Sequence, residues 1–138
     1  MAGARVKRAP NRSGERRAAK RKPLRLGVVD YTLAKRALLR DARRGLLSRT
    51  DLCDAHPELL RAARNVGEDS RRPCPVCDES ELRLVAYVYA DDLKANNGRV
   101  WSIREALTIA GRSRNGACYV VEVCTGCAWN HLHEAFVA

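Results

Sequence analysis

A chain of 138 residues with six cysteines and a net charge of +10 has room for one domain or two very small ones. Below roughly 70–80 residues an apolar core alone rarely holds a fold, so a staple is expected. The absence of any run of about 18 apolar residues excludes a membrane-spanning helix, and the basic N-terminus lacks the apolar stretch of a secretory signal. The expected location is the cytoplasm, where cysteines serve as thiols or metal ligands rather than disulfides.

Residues 1–25 hold ten of the 26 Lys and Arg but a single acid, Glu15, so they carry +9 and the rest of the chain +1. Arg16, Arg17, Lys20, Arg21, Lys22 and Arg25 form the dense part of this run. With almost no large apolar side chain, the segment cannot offset its ordering entropy, and residues 1–27 are expected to be a disordered basic tail. An organelle transit peptide would need an amphipathic apolar face that is missing.

From Asp30 the pattern becomes helical, with Asp30 placed as an N-cap, Gly45 as a stop, and Tyr31, Ala34, Ala37, Leu38 and Ala42 on one stripe. A second short helix starts near Ser48 or Thr50 and carries Leu52 and Cys53. Pro57 suits the first position of a third helix, with His56 at its entry, Glu58 on its N-terminal dipole and Gly67 after its end. Residues 28–68 are thus expected to form a helical unit. The pair of short helices over Thr50 to Arg64 has the outline of a helix-turn-helix, which would present Arg61 and Arg64 to DNA. The linking turn lacks the usual Gly, which favours a plain hairpin with Leu59, Leu60 and Ala63 packed on the Asp30 helix.

Gly67 to Pro73 reads as a linker. Glu81 to Ala90 reads as a strand covered on both faces, Asn96, Asn97 and Gly98 as a turn, and Ser102 with Glu105 as the capping box of a helix ending near Gly111. Ala117 to Val123 and Trp129 to Val137 read as further strands. The expected fold class is α+β: a helical unit, then a zinc-ribbon-like antiparallel sheet with one inserted helix over residues 69–138.

Cys74-Pro-Val-Cys77 and Cys124-Thr-Gly-Cys127 are two CxxC units separated by 46 residues. Two residues between thiols let a tight turn aim both at one ion, and two such knuckles complete the tetrahedral shell of a structural Zn2+. Pro75 stiffens the first turn and Gly126 gives the second conformational freedom. The separation exceeds the roughly 15–20 residues of compact sites, and the inserted strand, turn and helix account for the excess. A thioredoxin-like redox motif would need a strand leading directly into a helix at the CxxC, a context neither pair has. His131 and His133 lie on one strand face and could each replace a thiolate, but four cysteines already satisfy the ion. Cys53 and Cys118 are expected to be small buried residues.

The segments Asp30-Tyr31, Cys53-Asp54, Leu59 to Arg64, Pro73 to Cys77, Tyr87 to Tyr89 and Tyr119 to Cys124 carry a resemblance that continues through Cys127, Trp129, Asn130, His131 and Leu132. Over roughly residues 28–137 the chain resembles a family of small actinobacterial proteins known only as a domain of unknown function. The resemblance implies an actinobacterial cytoplasmic protein and brings no activity with it.

No Gly-rich phosphate loop, nucleophile elbow or paired-carboxylate motif is visible, so an enzyme is not expected. Asp91-Asp92 with Glu79 could form an acidic site, though solvated loop charges are the simpler reading. Zinc ribbons often serve as rigid platforms in transcription and translation, an analogy at the level of fold. With the basic tail, it makes an adaptor associated with RNA, DNA or the ribosome the leading expectation. A protein-interaction or regulatory module without nucleic-acid contact is the alternative.

Overall fold

The computed structural model describes residues 26–138. The basic run containing Arg16, Arg17, Lys20, Arg21, Lys22 and Arg25, and the disorder expected of it, lie outside the described residues.

The first element is a strand that the sequence reading had divided between tail and helical unit. Strand β1 (Gly27–Asp30) pairs antiparallel with the last strand, β6 (Asn130–Val137), in the register Val28 to Phe136 and Val29 to Ala135. Asp30 closes β1, and its carboxylate accepts the Thr32 amide at 2.7 Å, so it serves the entry of helix α1 (Thr32–Arg43) from one residue outside the cap, Tyr31. Gly45, at φ 79°, follows the end of α1 in the left-handed conformation that glycine adopts at low cost. The inward side of α1 carries Leu38, Leu39 and Ala42 together with Lys35, while Ala34 of the expected stripe is exposed.

Helix α2 (Arg49–Leu52) is one turn, opened by a reciprocal capping box between Ser48 and Asp51. Helix α3 (Pro57–Val66) begins on Pro57, and the His56 ring nitrogen accepts the Glu58 amide at 3.0 Å. Its Leu59, Leu60, Ala62 and Ala63 pack around Val85 and Val123 of the sheet, not on α1 as the hairpin reading held. The expected linker is likewise a strand, β2 (Glu68–Pro73), paired with β3 (Glu81–Tyr89) through Glu68 to Leu84 and Asp69 to Arg83. An edge strand presents few apolar residues and tolerates Pro, so hydropathy periodicity does not report it.

A 3-10 turn (Lys94–Asn96) leads to β4 (Val100–Trp101), which pairs with β3. Helix α4 (Ile103–Arg112) starts on Ser102, whose hydroxyl accepts the Glu105 amide at 3.1 Å. The Glu68 carboxylate of β2 also accepts the Ile103 amide at 2.9 Å, placing negative charge at the helix N-terminus. Strand β5 (Ala117–Val123) then pairs with β3 and with β6.

The sheet runs β1-β6-β5-β3-β2, with β4 also beside β3, and every pairing is antiparallel. Helix α4 covers one face, where Ala106, Leu107 and Ala110 meet Ala86, Val88, Val120 and Phe136; α3 covers the other. A third cluster joins Leu38, Leu39 and Leu52 to Leu82, Trp129 and the cysteines at one end of the sheet. Each fully buried aliphatic side chain there contributes about 1.5–3 kcal/mol. This last cluster positions the site. No helix among the described residues is long and apolar enough to cross a membrane.

Candidate metal centre

Two hairpins end at the same place. Cys74 to Cys77 joins β2 to β3, and Cys124 to Cys127 joins β5 to β6. Their backbones repeat one pattern: the amides of Asp78 and Ala128 donate to the carbonyls of Cys74 and Cys124 at 3.0 and 2.9 Å. The amides of Cys74 and Cys124 donate to the carbonyls of Ser80 and Trp129 at 2.9 and 2.8 Å. The residue after each second cysteine, Asp78 or Ala128, takes positive φ, 57° and 74°. Gly126 does not, which corrects the role expected of it. A Cβ at Gly126 would stand 2.6 Å from the Ser80 hydroxyl, so glycine leaves room for that hydroxyl where the two knuckles approach.

The four Sγ atoms of Cys74, Cys77, Cys124 and Cys127 lie within 4.8 Å of one another. Cys74 and Cys127 are 3.7 Å apart, as are Cys77 and Cys124. A tetrahedron with metal–sulfur bonds near 2.3 Å has an edge of about 3.8 Å, so the thiols already stand at ligand spacing and could hold a metal ion. Amides point at the sulfurs as they do at thiolates: Val76 and Cys77 donate to Cys74, Glu79 to Cys77 and Cys127 to Cys124, at 3.3–3.5 Å. The Glu79 amide helps pull the Cys77 thiol down to about 7, whereas burial holds Cys74 and Cys127 above the ordinary thiol value. A cation is what would allow all four to ionise together.

Of the other two thiols, Cys118 is buried in the core, where burial pushes it up to about 12. Cys53 is not the buried residue expected: it is half-buried at the end of α2, with its sulfur 3.5 Å from that of Cys127. The sulfurs of Cys53, Cys127 and Cys77, with Cys53 foremost, hold the Arg49 guanidinium above its ordinary value.

Neither histidine joins the thiol group. The His131 ring stacks on Trp129 with centroids 5.8 Å apart, and His133 Nδ1 lies 3.9 Å from Glu122 Oε1. Glu122 is the residue that the sequence reading missed. It is fully buried; its Oε2 accepts the Trp129 indole N–H at 3.0 Å and meets Lys35 Nζ at 2.7 Å. Its Oε1 has no hydrogen-bond partner among the described residues, with Arg72 at 3.8 Å. Burial, reinforced by Arg72, holds His133 below the ordinary histidine value. In Tyr-Val-Val-Glu-Val-Cys, strand alternation puts Glu122 on the same face as Cys118 and Val120, which marks its face but not its partners.

Other candidates do not assemble. Glu79 and Asp91-Asp92 stand beyond opposite ends of β3, itself about 26 Å long at roughly 3.3 Å per residue, and the two aspartates accept from Asn115 and the Arg114 amide. Arg61 pairs with Glu58 at 3.0 Å, and the single-turn α2 is too short for the first helix of a DNA-reading pair. The near-neutrality of the described residues conceals a segregation. Residues 31–49 hold Lys35, Arg36, Arg40, Arg43, Arg44 and Arg49 against Asp41, a net +5, leaving −4 on the other described residues. Arg36, Arg40, Arg43 and Arg44 are exposed, and none pairs with a carboxylate among the described residues.

The chain belongs to a family of unknown function, DUF5318, whose profile matches residues 23–138. It is similar to the uncharacterised protein Rv0049 of Mycobacterium tuberculosis (strain H37Rv), at 41% identity over 109 residues covering 79% of this chain and 80% of the relative. The uncharacterised protein Mb0050 of Mycobacterium bovis is similar to the same extent, 41% over 109 residues with 79% and 80% covered. These actinobacterial relatives agree with the resemblance read from the sequence. No solved structure matches.

Proposed function

We propose that this chain is a structural-zinc protein of the cytoplasm that acts as an adaptor on RNA, DNA or the ribosome. In this reading Cys74, Cys77, Cys124 and Cys127 hold one Zn2+ and make the knuckle end a zinc ribbon. The observation that carries the metal is that four thiols on two matched knuckles lie within 4.8 Å of one another, with two pairs at 3.7 Å. Four thiolates close the shell and leave no position for an activated water, so the ion fastens the hairpins and no enzymatic activity is proposed.

The polyanion partner is supported by charge. The +9 of residues 1–25 leads through β1 into the +5 of residues 31–49, so the basic residues share one end of the sequence, and Arg36, Arg40 and Arg43 are exposed on α1. Cations on such segments neutralise phosphates and release counterions without reading base edges. If about five cations engage a single strand, the logarithmic salt slope is about −3.5, from roughly −0.7 per phosphate. The test is binding of full-length protein and of residues 26–138 to unrelated RNA and DNA at several salt concentrations. The expected result is a flattened slope on truncation, and a further loss when Arg36, Arg40 and Arg43 are changed to Gln. Equal affinity and slope in all three proteins would overturn the reading.

A second reading, a protein-interaction module, is favoured by the exposure of Val28, Val29, Leu33 and Leu46 beside the same helix. Absence of nucleic-acid binding by the full-length protein would select it.

A further inference from the structure

We infer that Cys53 is a redox-active thiol that forms a disulfide with Cys127 and so opens the metal shell. The inference rests on the four-cysteine zinc reading. Its basis is a fifth sulfur where the shell needs only four. The Cys53 sulfur stands 3.5 Å from that of Cys127, closer than the 3.7 Å that separates the neighbouring ligand pairs. It comes from neither knuckle but from the end of α2, 74 residues away in sequence.

Both thiols are also reachable. Cys53 and Cys127 are half-buried, as is Cys77, whereas Cys74, Cys124 and Cys118 are buried. A disulfide needs the sulfurs at about 2.05 Å, an approach of roughly 1.5 Å. A single-turn helix can supply that movement more readily than the paired strands that carry the other ligands.

The oxidant is a hydroperoxide, with hydrogen peroxide as the simplest case. The Cys53 sulfur attacks the peroxide, its S–O bond forming as the O–O bond breaks, to give a sulfenic acid and one water. The Cys127 thiolate then attacks the sulfenic sulfur, the S–S bond forms, and hydroxide leaves and takes a proton from solvent to become the second water. The two sulfurs together lose two electrons, which the peroxide gains. Zinc keeps Cys74, Cys77 and Cys124 and loses its fourth thiolate, so it binds more weakly and becomes open to a competing chelator. A dithiol reductant returns both sulfurs to thiols and the site to four ligands.

The experiment uses full-length zinc-loaded protein treated with hydrogen peroxide. Zinc release is followed with a chromogenic chelator and disulfides are mapped by peptide mass spectrometry. The expected first product joins Cys53 to Cys127, with zinc released in step and rebound after dithiothreitol. Cys53→Ser and Cys53→Ala should keep stoichiometric zinc and release it at least about tenfold more slowly, and Cys118→Ala should behave as the parent. Two separate Cys53 variants guard against loss of fold in one. A first disulfide within either knuckle, or unchanged release from the folded Cys53 variants, would overturn the inference. Absence of zinc from the reduced parent protein would instead contradict the zinc reading, and the disulfide map would still decide whether Cys53 pairs with Cys127.

Discussion

Glu122 lies fully buried in β5, with one oxygen shared by Lys35 and Trp129 and the other facing Arg72 and His133. A carboxylate taken from water into such a place survives through its partners, and removing one of them costs more than the pair is worth. Lys35 still reaches solvent and Glu122 does not, so the two ends of the pair are unequal. Lys35→Met, which strands the carboxylate, should destabilise the protein by about 3–5 kcal/mol. Glu122→Gln keeps an acceptor for Trp129 and frees Lys35 to turn to water, and should cost only about 1–2 kcal/mol. Chemical denaturation of both variants checks the order, and a larger loss for Glu122→Gln would contradict it. The clustering of Cys74, Cys77, Cys124 and Cys127 was legible because a CxxC needs only local spacing. Glu122 and Cys53 were not, because their roles depend on Lys35, Arg72 and Cys127, which approach only in the fold.

At the scale of elements, β3 and β5 could be read because both of their faces are covered and their apolar residues run nearly without a break. Helices α2, α3 and α4 could be read because Ser48, Pro57 and Ser102 mark their starts locally. β1 and β2 were missed for a physical reason: one has four residues and the other is polar up to its closing Pro73, and each is a strand only because β6 or β3 pairs with it. The partner of α3 was misjudged because an amphipathic face shows that a helix is buried but not against what. The two knuckle hairpins meet at Gly126 and Ser80, where a methyl group would stand 2.6 Å from a hydroxyl. Gly126→Ala should therefore destabilise the zinc-bound protein by about 1–3 kcal/mol. Adding Ser80→Ala should recover most of that loss. Thermal unfolding of the single and double variants measures the coupling, and additive effects would show that the contact does not constrain the knuckles.

Across the whole molecule, the charge of each segment was legible but the exposure of Arg36, Arg40, Arg43 and Arg44 was not. A net +1 outside the first 25 residues divides into +5 over residues 31–49 and −4 over the other described residues. The apolar material is likewise divided among three clusters rather than gathered into one core. The cluster at the knuckle end includes Cys74 and Cys124 among its buried members, with Leu52, Leu82 and Trp129 around them. Its packing and the four-thiol group are therefore one structure. An apparent zinc-binding energy of about 10–16 kcal/mol matches or exceeds the net stability of about 5–15 kcal/mol usual for a domain. In the proposed zinc reading, the ion would stabilise the folded state through the same residues that join α1 and α2 to the sheet. The most direct test is metal analysis of the purified full-length protein beside Cys74→Ser and Cys124→Ser. One zinc per chain in the parent and its loss from both variants is the expected result. Full zinc occupancy in both variants, or none in the reduced parent, would contradict the account.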